Sequence, residues 1–168
     1  EAEPAVITLH ARTKKEMSKV PARWERVKRA VEIAEDSGTL IIGNGDVRDL
    51  RDAEEKIRAT GADGVMLGRA IFGNPWLFDK YKDAVTVEER VRVALEHTRL
   101  FEAIWDDTKS FALMKKHYQA YINHFPEAKA LRTRIMLSQN ANDAISILEH
   151  FLDTSERSLR TGWSVSAE

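Results

Sequence analysis

The feature that most constrains this chain is the rhythm of its first 78 residues, where short β-branched runs alternate with amphipathic stretches. Val6-Ile7-Thr8-Leu9 forms one such run and ends in His10. Trp24, Val27, Ala30, Val31 and Ala34 then recur at three- and four-residue steps, which predicts a helix over 22–37 stopped by Gly38. Residues 39–42 form a second apolar run leading into Gly43-Asn44-Gly45-Asp46. A second helix over 50–59 carries Leu50, Ala53 and Ile57 on one side and stops at Gly61. Residues 63–67 make a third strand that ends in Gly68-Arg69. Strand, helix, strand, helix, strand in this order predicts parallel strands with helical crossovers, an α/β fold.

After Asn74-Pro75-Trp76 the periodicity is helical throughout. Val87, Val91, Ala94, Leu95, Thr98, Phe101 and Trp105 mark one amphipathic helix. Phe111, Met114, Tyr118, Tyr121 and Ile122 mark a second over 110–124, stopped by Pro126. Leu131, Ile135 and Met136 mark a third, and Ala144, Ile145, Leu148, Phe151 and Leu152 a fourth, capped by Asn140 or Asn142. The reading divides the chain into a βα part at 1–80, a helical part at 81–154 and a polar tail at 155–168 that frays.

Composition excludes several classes. With 26 basic and 27 acidic side chains the chain is no generally cationic nucleic-acid binder. Zero Cys removes disulfides, thiolate metal sites and a cysteine nucleophile from these residues, and no metal set is expected. Apolar runs such as Leu40-Ile41-Ile42 are too short to cross a membrane, and the start lacks the pattern of a signal peptide, so a cytoplasmic protein is expected. Beginning at Glu1 rather than Met suggests processing or an excerpt of a longer chain.

Charge is uneven at finer grain. From Lys109 to Arg134 there are Lys109, Lys115, Lys116, Lys129, Arg132 and Arg134 against Glu127 alone, with His117 and His124 in the same stretch. A solvated helix surface and a face for RNA phosphates both fit that pattern.

Two successive strands end in glycine followed by a helix-forming segment: Gly43-Asn44-Gly45-Asp46 and Gly68-Arg69. Glycine there lets backbone N–H groups approach a ligand, and the next helix N-terminus favours an anion. In a (β/α)8 barrel a phosphate commonly sits in the loops after the last two strands. Tight turns without a ligand are the alternative. Asp46 can cap the following helix or meet a ligand hydroxyl, and Arg69 can anchor a phosphate or pair with an acidic neighbour. His10 ends a strand at the rim where barrel enzymes hold their sites.

These residues carry a family resemblance. His10-Ala11-Arg12-Thr13, Ile42-Gly43-Asn44-Gly45-Asp46, the run from Thr60 to Arg69 (TGADGVMLGR) and Gly73-Asn74-Pro75-Trp76 resemble the tRNA-dihydrouridine synthases in order and spacing. Met114-Lys115-Lys116-His117 and Phe125-Pro126-Glu127-Ala128-Lys129 are similar to that family's helical RNA-binding domain. The likeness spans roughly 5–153. It implies the C-terminal part of a (β/α)8 TIM barrel, three βα units, followed by a helical tRNA-binding bundle.

The resemblance further implies an FMN-dependent oxidoreductase that reduces uridine to dihydrouridine in tRNA with NADPH. It assigns Asn44, Gly45, Asp46, Gly68 and Arg69 to FMN, chiefly its phosphate end, and His10 to the flavin or substrate side of the pocket. Lys115, Lys116, His117, Arg132 and Arg134 become the candidates for contact with tRNA. Of these, Lys116 lies about 200° from both Met114 and Tyr118 and is expected in solvent, whereas Lys115 flanks the buried stripe. The family's catalytic cysteine, a proton donor, and its first barrel strands have no counterpart here. A complete barrel takes about 250 residues, so the missing N-terminal half is expected from the same longer chain rather than from a separate one. By itself the 168-residue chain is then expected to be inactive. Another FMN barrel, such as a dihydroorotate or dihydropyrimidine dehydrogenase relative, and a non-catalytic RNA-binding module are the other readings.

Overall fold

A computed structural model describes residues 3–82 and 84–161. Strands β1 (Val6–His10), β2 (Leu40–Asn44) and β3 (Gly64–Met66) form a parallel sheet in the order β1-β2-β3. Helix α1 (Glu25–Ala34) connects the first pair and α2 (Leu50–Thr60) the second. The register aligns His10 with Asn44 and Asn44 with Met66, so three consecutive strand ends lie in one row.

Period-two alternation decides which residues the helices cover. Ile41, Val27, Ala11 and Ala62 are buried together, with Leu9, Trp24 and Val31 packed against them. On the opposite face Val6, Leu40 and Met66 are each nearly half exposed. Gly43 sits under the Trp24 ring, and a Cβ there would collide with it.

The ends of α2 follow capping rules. Asp49 accepts the Asp52 N–H at 2.8 Å, and Gly61, at φ 74°, returns its N–H to the Ile57 carbonyl at 2.8 Å. Asp49, not Asp46, is therefore the cap. Buried Asp52 takes Lys56 Nζ at 2.8 Å and the Arg48 N–H at 2.9 Å. Asp63 accepts the Ile41 N–H at 2.8 Å, which ties the start of β3 to β2.

Several sequence boundaries move. Helix α1 spans Glu25–Ala34 rather than 22–37. At its start Ala22 and Arg23 donate their N–H groups to Asp46 and to the Ala11 carbonyl, and at its end Asp36 and Gly38 both turn to positive φ. Strand β2 continues to Asn44, because pairing to both neighbours persists past Ile42. Strand β3 is shorter than 63–67, at Gly64–Met66.

The remaining elements are α3 (Val87–Trp105), α4 (Ala112–Tyr121), α5 (Ala128–Leu137) and α6 (Ala141–Thr161). The chain divides into two compact units: Glu1–Ile71 with Trp76–Asp79, and Phe72–Pro75 with Lys80–Glu168. Among the described residues the second unit contains no strand. Its core gathers Val91, Leu95, Met114, Tyr118, Ile122, Leu131, Ile135 and Leu148. Thr86 and Glu89 form a capping box on α3. Tyr118 and Thr98 share a buried 2.8 Å hydrogen bond.

Helix α4 stops at Tyr121, short of His124, because Asn123 folds its amide back onto the carbonyls of Gln119 and Ala120. Asn140, not Asn142, caps α6, accepting the Asp143 N–H at 2.9 Å. The expected frayed tail at 155–168 is corrected in part. Helix α6 runs into it as far as Thr161, with no Gly or Pro before Gly162 and with Glu156 paired to Arg92; residues 162–168 lie outside the described ones. Among the described residues no helix is long and apolar enough to cross a membrane, and no His, Cys, Asp and Glu cluster suits a metal ion.

Candidate functional site

The row of strand ends opens into a cavity of about 1000 Å³. His10, Asn44, Gly45, Asp46, Gly68 and Arg69 all line it, so six residues spread over 60 positions of sequence share one wall. Asn44 Nδ2 donates to the Met66 carbonyl at 2.8 Å, joining the ends of β2 and β3. The chain then turns through Gly45 at φ 135° and Asp46 at φ 52°. Only glycine fits the first position: its conformation disfavours a side chain, and a Cβ would stand 2.9 Å from that of Ala22. Trp24 Nε1 holds this turn through the Gly45 carbonyl at 2.9 Å. A Cβ built on Gly68, by contrast, would meet nothing within 4 Å.

Asp46 is the hub of the site. Its Oδ2 takes a hydrogen bond from Arg12 and the Ala22 N–H at 3.1 Å, and its Oδ1 takes Arg69 at 2.9 Å. Partial burial pushes the carboxyl up. The hydrogen bonds from Arg12 and Ala22, with the charges of Arg12 and Arg69, outweigh that and hold it below the usual carboxylate range. The two guanidiniums differ. The Arg12 side chain is 5% exposed and also donates through Nε to the Val20 carbonyl at 2.5 Å, whereas that of Arg69 is 66% exposed. His10 accepts the Arg12 N–H on Nδ1 at 3.2 Å, and its Nε2 has no partner among the described residues.

Arg12 is the residue that sequence reasoning left without a function. The available signal was an arginine two residues past one strand end and an aspartate two residues past the next.

The cations of the basic stretch differ in what they touch. Lys115 Nζ donates to the Met136 and Ser138 carbonyls at 2.9 and 2.6 Å, where it satisfies the C-terminal end of α5. Arg132 donates to the Ile122 carbonyl at 2.5 Å. His117 packs its ring 5.1 Å from that of His97 and 5.8 Å from that of Phe72. Lys116 and Arg134 are exposed and unpaired among the described residues. Lys115 and Arg132, both candidates for contact with tRNA, thus each donate to backbone carbonyls.

The fold and cavity define a βα protein whose ligand-accessible cleft lies at the carboxyl ends of parallel strands. The chain belongs to the dihydrouridine synthase (Dus) family, whose sequence profile matches residues 4–156. It is 32% identical over 154 residues to a probable tRNA-dihydrouridine synthase of Staphylococcus aureus, covering 90% of this chain and 47% of that protein. A relative with the same description in Aquifex aeolicus is 32% identical over 149 residues, 86% of this chain and 46% of its own length. One in Staphylococcus epidermidis is 33% identical over 155 residues, with 90% and 47% covered. The chain thus spans about half the length of the curated relatives it matches.

Proposed function

We propose that this chain supplies the flavin-phosphate wall and an RNA-binding surface of an FMN-dependent tRNA-dihydrouridine synthase. The observation that carries this reading is Arg69: an exposed guanidinium on a cavity that is also lined by the glycine-bearing ends of two strands. The residues fit a flavin mononucleotide. Gly68 leaves open space, the turn at Gly45 exposes backbone, and the exposed guanidinium of Arg69, oriented by Asp46, suits a phosphate. The bare sheet face of Val6, Leu40 and Met66 supports membership of a larger (β/α)8 barrel that would cover it.

In this reading Arg69 binds the phosphate, and Asn44 holds the ends of β2 and β3 together at the cavity wall. His10 offers Nε2 to the flavin or the substrate. FMN held there, itself reduced by NADPH, would supply a hydride to the uracil ring, and a proton from a separate donor would complete the reduction. These 168 residues hold no Cys, so the proton-donating thiol belongs to residues beyond them. Lys116 and Arg134 contribute to the grip on tRNA, and the protein acts in the cytoplasm.

The test is a flavin titration of the intact protein. Arg69→Ala should weaken FMN roughly ten- to 150-fold, the loss of about 1.5–3 kcal/mol of charge-assisted contact, and leave riboflavin, which has no phosphate, unchanged. Equal FMN affinity in the variant would remove Arg69 from the site. An intact protein that binds tRNA but no flavin would favour the non-catalytic RNA module.

A further inference from the structure

The segment between β1 and α1, residues 11–24, borders the cavity and carries charge that the fold does not use. Its glutamate is consumed internally. Glu16 accepts the Thr13 N–H at 2.8 Å and the Thr13 hydroxyl at 3.0 Å, pairs with Arg23, and lies 3.8 Å from Arg26. Lys14, Lys15 and Lys19 have no acidic partner among the described residues, and all three are exposed. Uncompensated positive charge therefore gathers at the cavity rim of a chain whose net charge is -1.

Between those lysines stands Met17. Its backbone is left-handed, φ 48°, a conformation that unbranched apolar residues seldom adopt. The Met17 N–H donates to the Thr13 carbonyl at 3.3 Å, within the turn that Glu16 clamps. Its side chain lines the cavity yet is 67% exposed. A conformation that costs energy and buries nothing of its own core presents an apolar, polarisable group to whatever enters the cavity.

The geometry points to residues 14–19 as a strand-gripping rim: Lys14, Lys15 and Lys19 hold RNA backbone phosphates while Met17 packs against the base turned into the cavity. This deepens the tRNA reading above and rests on it. Spaced cations beside an apolar platform are what single-stranded nucleic acid needs, because phosphates supply most of the affinity and bases supply flat apolar faces. An enzyme acting on a base must also take that base out of its stack, and a contact at the cavity mouth favours the extruded state.

The experiment measures tRNA binding by the intact protein across a salt series. Lys15 and Lys19 do not line the cavity. Lys15→Glu/Lys19→Glu should therefore weaken tRNA roughly tenfold at low salt and make the log-log salt slope shallower by about two. FMN affinity and the thermal midpoint should stay as in the wild type. Met17→Asn keeps the left-handed backbone but removes the apolar contact, and should raise KM for tRNA several-fold, with Met17→Leu recovering it. Wild-type tRNA affinity and slope in the lysine double variant would overturn the inference, and more plainly so if Lys116→Glu/Arg134→Glu weakened binding in the same assay. A wild-type KM in Met17→Asn would remove Met17 from the rim. An intact protein that bound no tRNA would overturn the underlying reading together with this one.

Discussion

Asp46 Oδ1 accepts a hydrogen bond from Arg69 at 2.9 Å across 23 residues of sequence, and the same carboxylate takes nearly buried Arg12 on its other oxygen. One aspartate thus neutralises a guanidinium inside the fold and orients another at the cavity. The pairing fixes where the Arg69 charge is found before any anion arrives, which lowers the ordering cost of binding one.

The two ends of this ion pair should behave differently when removed. Arg69 is 66% exposed and gives up only a solvent-screened pair, so Arg69→Ala should leave stability within about 0.5 kcal/mol. Asp46→Asn strips the countercharge from Arg12, whose side chain is 5% exposed, and should cost about 1–3 kcal/mol. Urea denaturation of the intact protein would read both, and equal costs would show that Arg12 does not depend on Asp46.

Acid should act through Asp52. Burial raises its pKa, but hydrogen bonds from Lys56 and Arg48 outweigh this and lower it to about 2 from an ordinary 3.8. A carboxyl lowered on folding contributes stability that is present above pH 3.8 and is lost as pH falls through about 2. Asp52→Asn should cost about 1–3 kcal/mol at neutral pH and flatten the stability profile between those pH values. A variant with an unchanged acid limb would remove Asp52 as its source.

Adjacent lysines on α4 should separate structure from RNA binding. Lys115→Ala releases the carbonyls at the end of α5 and should lower stability by about 1 kcal/mol. Lys116→Glu should leave stability unchanged and weaken different tRNAs alike, with a shallower salt dependence. Thermal melts and tRNA titrations on both variants check the pair. Unaltered tRNA affinity in Lys116→Glu would mean that this lysine only solvates its helix.

Alkali should act through Tyr118. Burial drives its pKa up to about 12. A phenol raised on folding contributes stability that is fully present below pH 10 and is lost as pH rises through about 12. Thr98 already donates to the Ala94 carbonyl at 2.7 Å, so Tyr118 is the donor to Thr98. Tyr118→Phe should cost about 1 kcal/mol and remove that alkaline loss, which denaturation at pH 8 and pH 11 would reveal.

The sequence by itself determined the βα order, the parallel sheet and the row of cavity residues, because each is written in short-range signals. Period-two and period-3.6 hydrophobicity mark the elements, and glycines at 43, 45 and 68 mark the strand ends where backbone must come close or leave room. Asn44 and Arg69 were legible for that reason: each lies at or just past a strand end, and parallel strands bring those ends together.

Only the tertiary structure decided which charges are free. Lys115 and Lys116 are neighbours of identical chemistry, yet one is spent on carbonyls 21 and 23 residues away and the other meets solvent. Arg12 and Arg69 both pair with Asp46, 34 and 23 positions away, and differ in burial: the first is inside the fold and the second stands at the cavity. Hydrophobic periodicity is local and survives in the one-dimensional pattern. Charge pairing depends on distances that exist only after the strands have aligned, so the pattern that located the site could not say which of its cations a ligand would find available.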